Sequence, residues 1–426
     1  MQKESPAAGR SPTFVLVILT LVYVLNYLDR QILGILSGPI KLEFHLNNTE
    51  IGLLNGTAFG LIYATLGIPI AFLAERVNRR NVVAASLVTF SVMTILCGYA
   101  ANFWQLFLAR FGTGIGEAGT SPSVSAILAD LYPREKRASA LAFYFAGLNI
   151  GLLLGFFGGG LIGEYYGWRH AFLAAGIPGL ALFVVLLLTV KEPARGQVDG
   201  IADRGDTPGL VETAGFLWRQ RAFCWYALGT SMSSFGGYAG LAFIPIFLMT
   251  THHMKLHAVG LALSILTGVF GAIGTYLGGA VSDGLGKRDM RWNMYVPIIA
   301  TFCTVPVLPV LFLSNNIVWV LAALAVPSLT GAAYIGPAAA LTQAIVPLRM
   351  RVRAGAILLF VLNIIGLAMA APIVGALSDL LEPSLGPDAL RWALMISIVT
   401  GLAGAFCYWR ASRTLLADLA RVPREG

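Results

Sequence analysis

Four charged residues lie deep inside apolar runs of this chain. Asp29 and Arg30 adjoin in LVYVLNYLDRQILGIL, residues 21–36, and Arg110 and Glu117 stand seven apart in NFWQLFLARFGTGIGEAGTSPSVSAILADLY, residues 102–132. A charge in the middle of a membrane helix costs several kcal/mol, so one that persists there marks a pathway, a relay or a coupled switch. An arginine stays protonated in nearly any environment. A carboxylate beside it can remain ionised, and a desolvated carboxylate parted from it shifts toward the acid form. At 100° per residue, Arg110 and Glu117 fall within ~20° of each other on one helix face. Gly114 and Ser121 share that face and Thr113 is one step to its side, which suits a cavity wall. On the first span Asn26 and Arg30 share a face, while Asp29 lies ~100° from Arg30, so the two adjacent charges cannot point the same way. Either one can meet the fourth span, or Arg30 can turn to another polar neighbour. The four core charges sum to zero, with Asp130 at the end of the fourth span. A static neutral network that orders two helices is one reading. The preferred one is a proton-linked switch, because titratable acids beside a permanent cation couple protonation to shape.

The elements that must hold these residues follow from composition. The chain has 426 residues, 57% hydrophobic and only 12% charged, with 48 glycines. Apolar stretches long enough to cross a bilayer core of ~30 Å recur along its length. Twelve spans are expected, near 13–41, 50–74, 82–101, 104–131, 139–162, 170–190, 222–249, 257–282, 293–313, 317–345, 354–377 and 390–410. The fold class is therefore an all-α polytopic membrane protein. With both termini on one side, 23 of the 29 Lys and Arg fall on that side; Lys41, Arg169, Lys255 and Arg391 lie opposite, and Arg30 and Arg110 lie within spans. That asymmetry places both termini in the cytoplasm of a multi-pass cell-membrane protein, with a bacterial inner membrane the expected home. The net charge of +8 is then a topology signal and an anionic-lipid contact, not a nucleic-acid surface. The first apolar segment follows the short polar start MQKESPAAGRSP and is read as a true span rather than a signal peptide. Cys97, Cys224, Cys303 and Cys407 sit in separate apolar spans and read as small hydrophobes.

The polar stretch 191–221 divides the chain into an amino-terminal bundle, 1–190, a cytoplasmic linker, and a carboxy-terminal bundle, 222–426. The halves repeat. AFLAERVNRR at 71–80 answers GAVSDGLGKR at 279–288, and YPREKRASA at 132–140 answers VPLRMRVRAGA at 346–356. Two parallel six-helix repeats imply a pseudo-two-fold axis along the membrane normal and a ligand site between the halves near mid-membrane. GAVSDGLGKR resembles the Gly-x-x-x-Asp-x-x-Gly-Lys-Arg loop of the major facilitator superfamily. The first copy departs from it at Ala71, Glu75 and Asn78. The resemblance covers essentially the whole chain and implies two bundles that rock around a central cavity. It also implies a cytoplasmic gate at Asp283, Lys287 and Arg288, with Glu75 and Arg79 in the first copy.

Other features carry less. GIGEAG, 114–119, has Gly-x-Gly-x-x-Gly spacing but no preceding strand, so it is no dinucleotide turn, and GLGKRD lacks the rest of a phosphate loop. His45, His170, His252, His253 and His257 map to outer loops or helix ends. No nucleophile–base pair or metal-ligand motif shares a depth in the membrane, so the chain is not read as an enzyme, and no cofactor or metal is expected. Asn47 opens an acceptor sequon, NNT. Gly147, Gly151, Gly155, Gly159 and Gly163 form a ladder that either packs a static neighbour or eases movement between halves.

NYLDR at 26–30, RFGTGIGEAG at 110–119 and GWRHAFLAAGIPG at 167–179 together resemble the spinster family, whose members move lysophospholipids and sphingolipid-like amphiphiles. Organic anion:cation symporters share the Asn-Tyr-x-Asp-Arg start and the Gly-Glu of the fourth span. The resemblance implies Asp29 and Glu117 as protonation-linked acids, with Arg110 as their cationic partner and a headgroup contact. The second half has no charge in mid-span, and its cavity candidates are Ser233, Ser234, Tyr238, Tyr334 and Asn363. One charged wall and one mostly apolar wall suit a molecule with a headgroup and a tail. The expected activity is proton-coupled export of lysolipid-type amphiphiles. Symport of small organic anions, efflux of lipophilic drugs and a non-transporting sensor are the competing readings. The expected partners are protons, membrane lipids and the cargo, with the protein acting as a monomer.

Overall fold

The computed structural model describes residues 11–193 and 209–421; the side chains of Ala71, Glu75, Arg134 and Leu348 also lie outside the described set. Within it, every regular element is helical. That is what a bilayer demands of an open chain, since a helix satisfies its own backbone where no water can. The first half holds α1 (Pro12–Phe44), α2 (Asn48–Ala74), α3 (Arg79–Tyr99), α4 in two pieces (Phe103–Ala118 and Thr120–Leu131), α5 (Arg134–Tyr166) and α6 (Trp168–Thr189). The second holds α7 (Arg221–Thr251), α8 (Leu256–Gly286), α9 (Trp292–Leu313) and α10 (Ile317–Ala344). It ends with α11, which runs from Arg351–Leu362 through 363–368 into Ala370–Leu385, and α12 (Ala389–Leu394 with Ile396–Leu419).

The helices occupy the twelve expected stretches and overrun several of them. α5 and α12 extend past the apolar runs because a helix does not stop where hydrophobicity stops; it stops at a cap or a breaker. Ser11 accepts the Phe14 N–H at 3.3 Å with Pro12 in the first turn, and His45 closes α1 in the left-handed region at φ 53°. The expected linker is partly helical: residues 194–208 lie outside the described set, but Leu210–Arg219 forms an amphipathic helix that buries Thr213 and Leu217 and leaves Trp218 exposed.

Twelve crossings put the described ends of the chain on one face, called here the terminal face; the other is the distal face. On the distal side a single apolar core joins the halves, uniting Ile35 and Leu36 of α1 and Phe172 of α6 with Phe243 and Phe247 of α7 and Val374 of α11. Toward the terminal face the core divides. Leu19, Leu87, Leu128 and Tyr144 form one cluster inside the first half, while Phe223, Met294, Leu341 and Tyr408 form another inside the second. The apolar core is thus shared between the halves distally and divided terminally, where Arg353 of α11 still lies over the Phe72 ring of α2 at 5.8 Å.

The glycine ladder of α5 faces α1 within its own half. A methyl group on Gly155 would come within 2.9 Å of the Leu28 carbonyl oxygen, and one on Gly159 within 2.8 Å of Ile35. From Gly147 to Gly159 the ladder packs a neighbour within one half. At the distal end of α5 Gly160 meets Gly260 of α8, and Gly163 meets both Leu36 of α1 and Leu256 of α8, so the ladder's last member also joins the approach between halves.

Candidate transport site

α4 carries two of the charges, and its glycines set their depth. A methyl on Gly114 would lie 2.8 Å from the Phe59 carbonyl oxygen of α2, and one on Gly116 would lie 2.5 Å from the Phe90 nitrogen of α3. The Gly-rich stretch therefore lets α4 sit hard against two neighbours, with a break at Gly119 just beyond Glu117.

Both adjacent charges of α1 reach α4, on two separate partners. Arg30 Nε donates to Glu117 Oε2 at 2.7 Å, and Arg110 Nη1 donates to Asp29 Oδ2 at 2.8 Å. The pairing expected between Arg110 and Glu117 is absent; the direct cationic partner of Glu117 is Arg30. Asp29 Oδ1 also lies 2.6 Å from the Thr94 hydroxyl of α3. The two pairs differ in exposure. Asp29 and Arg110 are each 2% exposed, whereas the Arg30 side chain keeps 12% against 0% for Glu117. Three rings surround the Arg30 guanidinium: its carbon lies 4.9 Å from the Tyr27 centroid, 4.7 Å from Phe59 and 4.4 Å from Tyr63. Phe59 also faces Arg110 at 5.5 Å, so one ring lies between the two cations. Stacking of this kind stabilises a desolvated guanidinium and fixes its plane. Among the described residues, Glu117 Oε1, Arg110 Nε and Asn26 Nδ2 are buried with no hydrogen-bond partner. An ionised carboxylate only accepts hydrogen bonds, and a protonated one gains a donor, so Glu117 Oε1 is the free end of this network.

The remaining candidates fall into three groups. Thr113 is fully buried and its hydroxyl bonds the Arg110 carbonyl at 2.7 Å, so it offers nothing to a cavity. Ser121 is half-buried on the second piece of α4, and Asn363 is half-buried in a π-helical turn of α11. Ser233 and Tyr334 line a cavity of about 310 Å³ that enters the carboxy-terminal bundle between α7, α8, α9, α10 and α12, with Asn149 and Leu152 of α5 at its edge. Its walls are mainly apolar, with hydroxyls from Thr267, Thr301 and Thr304; Thr301 and Thr304 bond carbonyls of their own helix. Ser234 is buried and its hydroxyl bonds the Ser231 carbonyl at 2.9 Å, and Tyr238 lies within electrostatic reach of both Tyr334 and Arg30, which links the cavity to the charged cluster. The aromatic partners of Arg30 on α2, and Thr94, are not among the residues singled out in the sequence; the four-residue spacing of Phe59 and Tyr63 is the signal that points to the rings.

At the terminal face Arg79 bonds Asp130 at 2.5 Å and Glu192 at 2.7 Å, so it ties α3, α4 and the end of α6 together inside one half. Asp283, Lys287 and Arg288 are exposed and, among the described residues, make no ion pair. The Glu75 side chain lies outside the described set. Among the described residues no cluster of His, Cys, Asp and Glu is placed to hold a metal.

Two six-helix halves, closed together on one face and enclosing buried ion pairs at mid-depth, define a secondary transporter. The chain matches the Major Facilitator Superfamily over residues 19–366, and it belongs to that family. It is 34% identical over 412 residues to an MFS-type efflux pump of Mycolicibacterium smegmatis, covering 96% of this chain and 94% of that one. It is 28% identical over 298 residues to a probable L-galactonate transporter of Escherichia coli, covering 68% of this chain and 65% of that one. Among solved structures it resembles a bacterial homolog of the human lysosomal transporter Spinster, in an inward-facing and unoccupied conformation, with a TM-score of 0.87, 28% identity and coverage of 96% and 98%. The chain is thus a transporter and not an enzyme, related both to spinster proteins and to carriers of sugar acids.

Proposed function

We propose that this transporter exports lysophospholipid- or sphingolipid-like amphiphiles in exchange for protons, by alternating access of the two halves. The observation that carries this reading is the juxtaposition of an anion-binding edge with an apolar chamber. Arg30 gives only its Nε to Glu117, it keeps the larger exposure of the two cations, and Tyr238 and Tyr334 lead from it to the cavity of the second half. A phosphate headgroup suits a planar, forked guanidinium, and an acyl chain suits a mainly apolar chamber most of whose hydroxyls are turned back on carbonyls of their own helices. Arg110 serves Asp29 at 2% exposure and acts as the fixed ion of the cluster, leaving headgroup binding to Arg30.

The same geometry supports proton coupling. A zwitterionic headgroup can give its phosphate to the free edge of Arg30 and its ammonium to the ionised Glu117, whose Oε1 is otherwise unpartnered. A proton on Glu117 removes the charge that holds the ammonium, so proton and cargo exclude each other, as exchange requires. Asp29 is a second acid, held by Arg110 and Thr94. The terminal face, which carries the excess of Lys and Arg, is the cytoplasmic one, so the state described is open inward and closed outward. There Asp283, Lys287 and Arg288 stand free to re-form a gate when the halves tilt. The efflux-pump relative supports the outward direction.

Symport of small organic anions is the second reading, supported by the L-galactonate relative and by the fact that Arg30 would bind any anion. The deciding experiment offers labelled lysophospholipid and a labelled sugar acid to proteoliposomes under an imposed pH gradient. Gradient-dependent movement of the lysolipid alone supports the first reading, and movement of the sugar acid alone supports the second.

A further inference from the structure

The distal seam contains a charged contact that the transport site does not use. Asp379 of α11 reaches across to the first turn of α2 in the other half. Its Oδ1 accepts the backbone N–H of Asn48 at 2.9 Å, and its Oδ2 accepts the backbone N–H of Thr49 at 2.7 Å and the Thr49 hydroxyl at 2.5 Å. The third free N–H of that turn, from Glu50, is taken within the helix's own half by Asn47, whose backbone N–H in turn reaches Glu50. So the cap of α2, a helix running Asn48–Ala74, is shared between the two halves of the protein. Asn48 reinforces the seam: its amide donates to Ser378 at 2.9 Å and its carbonyl oxygen accepts from Lys41 at 2.5 Å. Backbones also close up alongside, since a methyl on Gly375 would collide with Asn48 and one on Gly52 with Ala371.

We propose that Asp379 is the latch of the distal gate, the residue that sets how often that gate opens during the transport cycle. Alternating access requires the halves to separate on the distal face, and every bond Asp379 makes to α2 must break for that to happen. A carboxylate suits this position because both oxygens must accept, and because negative charge is stabilised at a helix N-terminus. An asparagine of the same shape turns an NH₂ group toward backbone donors. The inference concerns the motion and not the cargo, so it stands whatever the substrate is.

The test is hydrogen–deuterium exchange of the full-length protein in lipid nanodiscs, comparing wild type with Asp379→Asn and Asp379→Glu. Asp379→Asn is expected to speed exchange in peptides covering 45–56 and 371–380 by about tenfold, the size of a lost charge–helix contact. In the same protein, exchange at the terminal face around Phe72 and Arg353 is expected to slow, because opening one face closes the other. Asp379→Glu, which keeps two accepting oxygens, is expected to stay near wild type. Faster distal exchange without terminal protection would mean a merely local cap and overturn the proposal, as would unchanged distal exchange. A second variant needs no change at Asp379: Asn48→Cys with Ser378→Cys is expected to transport when reduced and to stop when oxidised across the seam. Full transport in the oxidised form would equally overturn it.

Discussion

Glu117 is bonded to Arg30 across two helices, 2.7 Å away, and not to Arg110, seven residues earlier on its own helix. Seven residues return a side chain to the same face, but they also separate the two by about 10 Å of helical rise, beyond the span of a direct bond. The two ion pairs therefore form between helices, cross-linking α1 to α4 at two levels. The outer member of each pair differs in kind: Arg30 keeps an exposed edge, and Arg110 is sealed.

Replacing Glu117 by Gln keeps the shape of the side chain and removes its charge. Proton-driven transport is expected to fall at least tenfold, consistent with loss of a coupling energy of about 1.4 kcal/mol or more. Exchange of cargo between equal pools, which needs no net proton movement, is expected to persist. Comparing gradient-driven uptake with equilibrium exchange in proteoliposomes checks this; equal losses in both assays would assign Glu117 to binding rather than coupling.

Arg110→Ala leaves Asp29 buried without its cation. A broken buried pair costs about 3–5 kcal/mol, so the melting temperature of the purified protein should drop sharply. Arg30→Ala removes a partly exposed cation and should cost less stability and more cargo affinity. Measuring melting temperature and binding for both variants separates the roles, and a reversed order would refute the division of labour between them.

A glycine of α4 and one of α5 make a third test. Gly116→Ala forces a methyl against the Phe90 backbone and should destabilise by about 1–3 kcal/mol, as overpacking does. Gly158→Ala, whose added methyl meets nothing within 4 Å, should be close to neutral. Thermal unfolding of the pair, read alongside wild type, distinguishes close packing from a generic intolerance of substitution.

Filling the second-half cavity tests the cargo. Thr301→Phe puts a ring into the chamber from α9, a helix that carries none of the buried ion pairs. Lysolipid transport should fall about tenfold while binding of a short-chain anion with the same headgroup changes little, because only the tail loses its seat. Parallel loss of both would argue against a tail site there.

Much of this architecture is legible in the sequence. Twenty-residue apolar runs dictate helices, the echo of AFLAERVNRR in GAVSDGLGKR dictates two halves, and the cost of intramembrane charge singles out Asp29, Arg30, Arg110 and Glu117. Periodicity shows which residues share a helix face but says nothing of a neighbour's depth, so the partner of Glu117 was not readable. The same limit hid Thr94, the rings around Arg30 and the reach of Asp379 to Thr49, because each contact joins helices far apart in the chain. The orientation of the glycine ladder needed the structure as well. A stripe of small residues specifies a close approach without naming the helix that approaches.

The most direct test of the account is proton flux itself. Proteoliposomes loaded with a pH-sensitive dye and given lysophospholipid on the cytoplasmic side should show proton movement into that compartment with wild-type protein, in step with lysolipid exit. The Glu117→Gln protein should show none. A wild-type protein that moves lysolipid without moving protons, or a Glu117→Gln protein that moves both as before, would contradict the coupling of headgroup and proton at the Arg30–Glu117 pair.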